Sequence, residues 1–106
     1  MRYLPLLVLL AGCAGSLDSP VEPAIQSIGT FVDPTFLTAP TGDSTRVLVT
    51  ERAGRVRLLK SGALQNGSFL DLRGKISAAD EDGLYSLAFH PQYQTNGRFY
   101  AFYTNL

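Results

Sequence analysis

From Ile25 onward no stretch of this chain carries sustained helical periodicity, and short β-rich runs alternate with turn-forming residues. Arg46-Val47-Leu48-Val49-Thr50-Glu51 is apolar and β-branched, and Arg55-Val56-Arg57-Leu58-Leu59-Lys60 alternates charge with apolar side chains. Arg52-Ala53-Gly54 lies between them and predicts a Gly-containing hairpin loop, while Ser61-Gly62 closes the second strand. Phe69-Leu70-Asp71-Leu72 is a third short run. For Leu84 to Phe89 periodicity alone fits a helical segment as well as a strand; a short apolar run stopped by Pro91 favours a buried strand. Thr95-Asn96-Gly97 signals a turn that feeds the aromatic run Arg98 to Thr104. Short strands spaced about 8–12 residues apart predict an all-β sandwich, barrel or propeller.

The N-terminus reads differently. Arg2 precedes a short apolar run, Tyr3 to Leu10, that ends in Ala11-Gly12. This is the build of an export signal, too short to span a bilayer as a stable helix. Leu10-Ala11-Gly12-Cys13 looks like a bacterial lipobox, in which a diacylglycerol is attached to the Cys13 sulfur and residues 1–12 are then removed. Two or more acyl chains then anchor stably where one does not. Residues 13–23 are small, polar and Pro-punctuated, a tether composition, and residues 24–106 are assigned to the globular part. This predicts export to a bacterial cell envelope and attachment to a membrane through Cys13.

Nine basic and nine acidic side chains balance, with no basic block, which argues against nucleic acid as a partner. One Cys excludes an intrachain disulfide, and one Cys with one His cannot build a structural zinc site. About 80 residues of short strands are a marginal size for a free-standing domain. An aromatic strand ending at Leu106 without a closing turn predicts the N-terminal piece of something longer.

Three blocks together resemble the glucose/sorbosone dehydrogenase family of quinoprotein sugar dehydrogenases. The first runs from Phe36-Leu37-Thr38-Ala39-Pro40 through Gly42-Asp43 to Val47-Leu48-Val49-Thr50-Glu51-Arg52-Ala53-Gly54-Arg55-Val56. The second is Phe69-Leu70-Asp71-Leu72. The third joins Glu81-Asp82-Gly83-Leu84 with Leu87-Ala88-Phe89-His90-Pro91, Tyr93, Asn96-Gly97 and Tyr103-Thr104. The resemblance implies a six-bladed β-propeller, of which this chain supplies the first one to two blades.

It also implies pyrroloquinoline quinone (PQQ) with calcium, a sugar substrate of aldose or sorbosone type, and an electron acceptor. The cofactor carries the redox step, and the protein positions the reactants. The family's catalytic His belongs to a later Asp-His segment, and most cofactor and calcium contacts also lie downstream. The resemblance therefore gives this chain no catalytic residue, and the chain alone is expected not to be catalytic. One cofactor-site position carries over: Glu81, two residues before Gly83-Leu84, where the family places a Gln or Glu. Its implied role is a hydrogen bond to a substrate hydroxyl or to the quinone edge. Tyr85-Ser86 departs from the Leu-Gly that members often show.

Other candidates weigh less. His90 sits in a His-Pro corner, where holding the turn outweighs general-base catalysis. Asp80 and Asp82 read as a solvated acidic loop, because consecutive acids do not match an EF-hand spacing. Arg55 and Arg57 share one strand face, read as solvated, and Arg52 stands near them. Phe99, Tyr100, Phe102 and Tyr103 are assigned to a core between sheets. Two rival functions remain: a non-enzymatic surface β-propeller that binds carbohydrate or protein, and a small β lipoprotein with a structural role.

Overall fold

The computed structural model describes residues 20–105. Cys13, the signal segment and most of the tether lie outside the described residues. The architecture is mostly antiparallel β-sheet, in agreement with an all-β fold.

Seven strands and one helical turn follow in chain order: β1 (Pro34–Thr38), β2 (Arg46–Glu51), β3 (Arg55–Lys60), β4 (Ala63–Leu64), β5 (Leu70–Asp71), β6 (Leu84–Phe89), α1 (Tyr93–Asn96) and β7 (Phe99–Tyr103). The first sheet has the order β1-β2-β3-β4, with β5 also paired to β3; the second is the β6-β7 hairpin. The β2-β3 hairpin has the register Leu48↔Leu58 and Thr50↔Val56. Its turn is closed by the Gly54 N–H donating to the Glu51 carbonyl at 2.9 Å. Gly54 has φ 115°, and a Cβ there would meet backbone of Leu72 and Arg73 at 3.0 Å, so this turn tolerates only glycine without strain. At Ser61-Gly62 both residues have positive φ, 49° and 79°, the left-handed pair of a two-residue hairpin between β3 and β4.

Strand alternation decides the core. Leu48, Val56 and Leu58 project from one face of the first sheet onto Leu84 and Leu87 of β6, with Ile76 from the preceding loop. Leu48, Val56 and Leu84 are fully buried. Phe69, Phe89 and Phe99 extend this cluster; Phe69 and Phe99 lie with ring centroids 5.4 Å apart. The seam between the sheets is polar as well as apolar. The Thr35 hydroxyl lies 2.7 Å from the Leu84 carbonyl and 2.7 Å from the Thr50 hydroxyl, joining β1, β2 and β6 through one side chain.

Two assignments from the sequence are corrected here. Of the β7 aromatics placed in a core, Phe99 packs inward, whereas Tyr100 is 58% exposed, Phe102 66% and Tyr103 43%. Phe99 and Ala101 face the first sheet, so alternation turns Tyr100 and Phe102 to the opposite side, where no described element covers them. The face of β3 read as solvated is also covered in part. Residues 26–32 run across it: Gly29 lies against Leu64, and the Val32 N–H donates to a Glu51 carboxylate oxygen at 2.9 Å. Beneath, Glu51 is only 2% exposed, and the Arg57 guanidinium approaches it to 3.6 Å. Arg57 is therefore the counter-ion of a buried acid, not a solvated charge.

Candidate functional site

The region that carries Glu81 is the loop of residues 77–83, which leads into β6. Its ends are pinned by Thr104, just past β7. The Gly83 N–H donates to the Thr104 hydroxyl at 2.7 Å, and the Thr104 N–H donates to the Gly83 carbonyl at 3.0 Å. The Ser77 N–H donates to the Thr104 carbonyl at 3.2 Å. Inside the loop the Ser77 hydroxyl donates to the Asp82 carboxylate at 2.6 Å, and the Asp82 N–H closes a turn onto the Ala79 carbonyl at 2.8 Å. Asp80 takes a left-handed conformation, φ 51°, that Asp tolerates better than most residues.

Arg52, at the β2-β3 turn, fastens this loop to the first sheet. Its Nη1 reaches the carbonyl oxygens of Ala78, Asp80 and Asp82 at 3.1, 2.7 and 3.3 Å. Its Nη2 stands 3.6 Å from the Asp33 carboxylate. The Arg52 backbone is fixed at both ends: its N–H donates to the Asp33 carbonyl at 3.0 Å, and its carbonyl accepts from the Leu84 N–H at 2.8 Å. Gly83 completes the junction. A Cβ at that position would stand 2.5 Å from both Cγ and the carbonyl oxygen of Arg52.

Glu81 sits at the exposed crest of the loop, and its carboxylate makes no salt bridge among the described residues. The arrangement presents the Glu81 carboxylate to solvent on backbone held from two sides, which suits the hydroxyls of a polar ligand. Asp80 is exposed beside it, while Asp82 is occupied by Ser77. Among the described residues no three His, Cys, Asp or Glu side chains converge as metal ligands. The described residues therefore do not fit a calcium cage by themselves. A hollow of about 490 Å³ lies away from this loop, between residues 26–31 and β1, lined by Ile28, Phe31, Phe36, Leu37 and Val49.

His90 belongs to the corner after β6 and bonds to none of the residues of the Glu81 loop among the described residues. Its Nδ1 accepts the Gln92 N–H at 3.0 Å, and the Asn96 amide lies 2.9 Å from the same nitrogen. Since Nδ1 accepts from a backbone donor, the Asn96 amide must donate too. His90 thus holds the corner that carries α1, where Tyr93 stacks edge-on against Phe89 at 4.6 Å. Arg46 lies over the Tyr93 ring at 5.7 Å and also pairs with Asp43. The Arg46 guanidinium, with the Thr45 hydroxyl and N–H, holds the Asp43 carboxyl well below the usual carboxylate range.

Sequence reasoning singled out Glu81 but missed Arg52 and Thr104 as the groups that fix it. Arg52 was grouped with Arg55 and Arg57, although its acceptors lie 26 to 30 residues further along the chain. The available local signal was Glu51-Arg52-Ala53-Gly54 itself: a charged residue in a tight turn, aimed off the strand rather than along its face.

Comparison with known proteins bears on the whole of this region. The model of the glucose/sorbosone dehydrogenase family matches residues 33–106, which spans every strand described above. Among curated proteins, the chain is similar to Hedgehog-interacting protein of Mus musculus, 41% identical over 66 residues that make up 58% of this chain and 9% of that protein. The Homo sapiens protein of the same name is 40% identical over 66 residues, with the same shares of 58% and 9%. The chain spans 9% of the length of these curated relatives. It belongs to the glucose/sorbosone dehydrogenase family, a family of β-propellers.

Proposed function

We propose that this member of the glucose/sorbosone dehydrogenase family contributes the first one to two blades of a six-bladed propeller that oxidises a sugar hydroxyl. The family match over residues 33–106 carries this reading. In it, Glu81 accepts hydrogen bonds from a sugar hydroxyl, and the clamped loop limits the conformational freedom lost when sugar binds. The redox chemistry belongs to PQQ, with calcium, held mostly by residues other than those described, and electrons leave to an external acceptor. Cys13 anchors the exported protein to a membrane of the bacterial cell envelope.

The test is reconstitution of the intact protein with PQQ and calcium, followed by dye reduction with aldoses as substrates. Sugar-dependent turnover supports the reading, and its absence with bound PQQ overturns it. Membrane fractionation of Cys13→Ala tests the anchor separately: release into the soluble fraction is expected, and unchanged retention counts against lipidation.

A second reading has one observation in its favour. The curated relatives are named for interaction with a protein, Hedgehog, and share 41% and 40% identity with this chain. A non-enzymatic propeller that binds protein or carbohydrate at the cell surface would use the same strands without a cofactor. Failure of the reconstituted protein to turn over any aldose, together with retained folding, favours this second reading.

A further inference from the structure

We propose that Arg52 is a positioning residue for Glu81, an inference that rests on the sugar-binding role of Glu81 given above. Arg52 touches no ligand in this scheme; it acts through the loop. Its Nη1 stands among the carbonyl oxygens of Ala78, Asp80 and Asp82, at 3.1, 2.7 and 3.3 Å, so Glu81 is bracketed by two of the residues it holds. One Nη carries two N–H groups, so three acceptors share two protons, and the positive charge binds the set as a group.

The other end of the side chain is fixed just as firmly. The Arg52 N–H is bonded to the Asp33 carbonyl, and the Arg52 carbonyl accepts from Leu84 at the start of β6. The crest of the loop is therefore referenced to the seam between the two sheets. Gly83 belongs to the same device: only a residue without Cβ leaves room for the Arg52 stem and carbonyl. Without the guanidinium, three carbonyls lose their donor, and Glu81 samples many positions before a sugar selects one. Binding then costs the entropy of ordering the loop, and affinity falls.

The experiment compares Arg52→Ala, Arg52→Lys and Glu81→Ala in the intact protein, reading amide exchange at Asp82 and Gly83 and the KM and kcat for an aldose. Arg52→Ala is expected to speed exchange of the Asp82 and Gly83 amides, bonded to the Ala79 carbonyl and the Thr104 hydroxyl, about tenfold and to raise KM about tenfold, the scale of one lost charge-assisted hydrogen bond. Amides of β2 and β3 keep their protection, kcat changes less than KM, and millimolar guanidinium ion restores both readouts. Arg52→Lys, which keeps the charge but not the planar fork, falls between the two. It carries the comparison if Arg52→Ala loses β2 and β3 protection.

Unchanged loop exchange in the Arg52 variants overturns the proposal whatever happens to KM. Faster exchange with an unchanged KM also overturns it, provided Glu81→Ala still raises KM. If Glu81→Ala leaves KM unchanged, the role of Glu81 itself fails, and the positioning role of Arg52 falls with it.

Discussion

Replacing Gly83 with alanine tests whether the loop and the first sheet are locked together at one atom-scale contact. Gly83 has φ 151°, a conformation that L side chains rarely adopt, and adopting it costs about 1–3 kcal/mol. The new Cβ would also lie 2.5 Å from Arg52 Cγ and 2.5 Å from the Arg52 carbonyl oxygen. Cγ belongs to a side chain that can shift. The carbonyl cannot do so freely, because it accepts the Leu84 N–H at 2.8 Å that ties β6 to the β2-β3 turn. Overpacking of this kind adds about 1–3 kcal/mol, so the expected loss is about 2–6 kcal/mol. Gly74→Ala is the control: φ is 75°, and nothing stands within 4 Å of its added Cβ. It should cost only the backbone term, about 1–2 kcal/mol. Urea midpoints of the intact protein, with slopes checked for constancy, measure both substitutions. If Gly83→Ala is no more destabilising than Gly74→Ala, the proposed contact with Arg52 is not a constraint, and the account of the junction is wrong.

Glu51→Ala should destabilise by about 3 kcal/mol, because it strands Arg57 beside a face covered by residues 26–32 and removes the acceptor for the Val32 N–H. Glu51→Gln keeps that acceptor and should cost less; equal losses in denaturant midpoints would rule out a role for the Val32 bond. His90→Ala should cost about 1 kcal/mol by freeing the Gln92 and Asn96 donors, with KM and kcat unchanged. A selective loss of kcat in a folded His90→Ala protein would show a catalytic part for this residue. The Arg73 side chain, and then its N–H, hold the Asp71 carboxyl down to about 2 from 3.8. A depressed folded value means that the pair's contribution is present above the unfolded value of 3.8 and is lost as pH falls through about 2. A carboxyl NMR titration should find that midpoint, and Arg73→Gln should return it toward 3.8; a midpoint unaffected by Arg73→Gln would exclude the pairing.

The strands that were legible are those whose pattern is local. β2, β3 and β6 lie where the apolar runs place them, and the Gly54 turn closes where the Arg52-Ala53-Gly54 loop predicts. β1 went unread as a strand, because Pro34 opens it and its Phe36 and Leu37 remain exposed, so neither face shows alternation. β5 covers only Leu70–Asp71 of a longer apolar run, because its partner β3 begins at Arg55 and the Leu72 N–H already bonds the Gly54 carbonyl of the turn. The single turn of α1 is too short for any helical period to register.

The sequence by itself determined where the backbone runs extended and where it reverses, and it placed Glu81 beside the glycine that ends its loop. Those properties follow from propensity and from left-handed turns that few residues accept. Tertiary structure alone decided what each face meets. Alternation puts Arg55 and Arg57 on one side of β3, but only the passage of residues 26–32 makes Glu51 a buried partner there. The same holds for Arg52. Its acceptors are backbone carbonyls, which every residue carries and no side-chain pattern marks, brought within reach only when β6 docks on the first sheet.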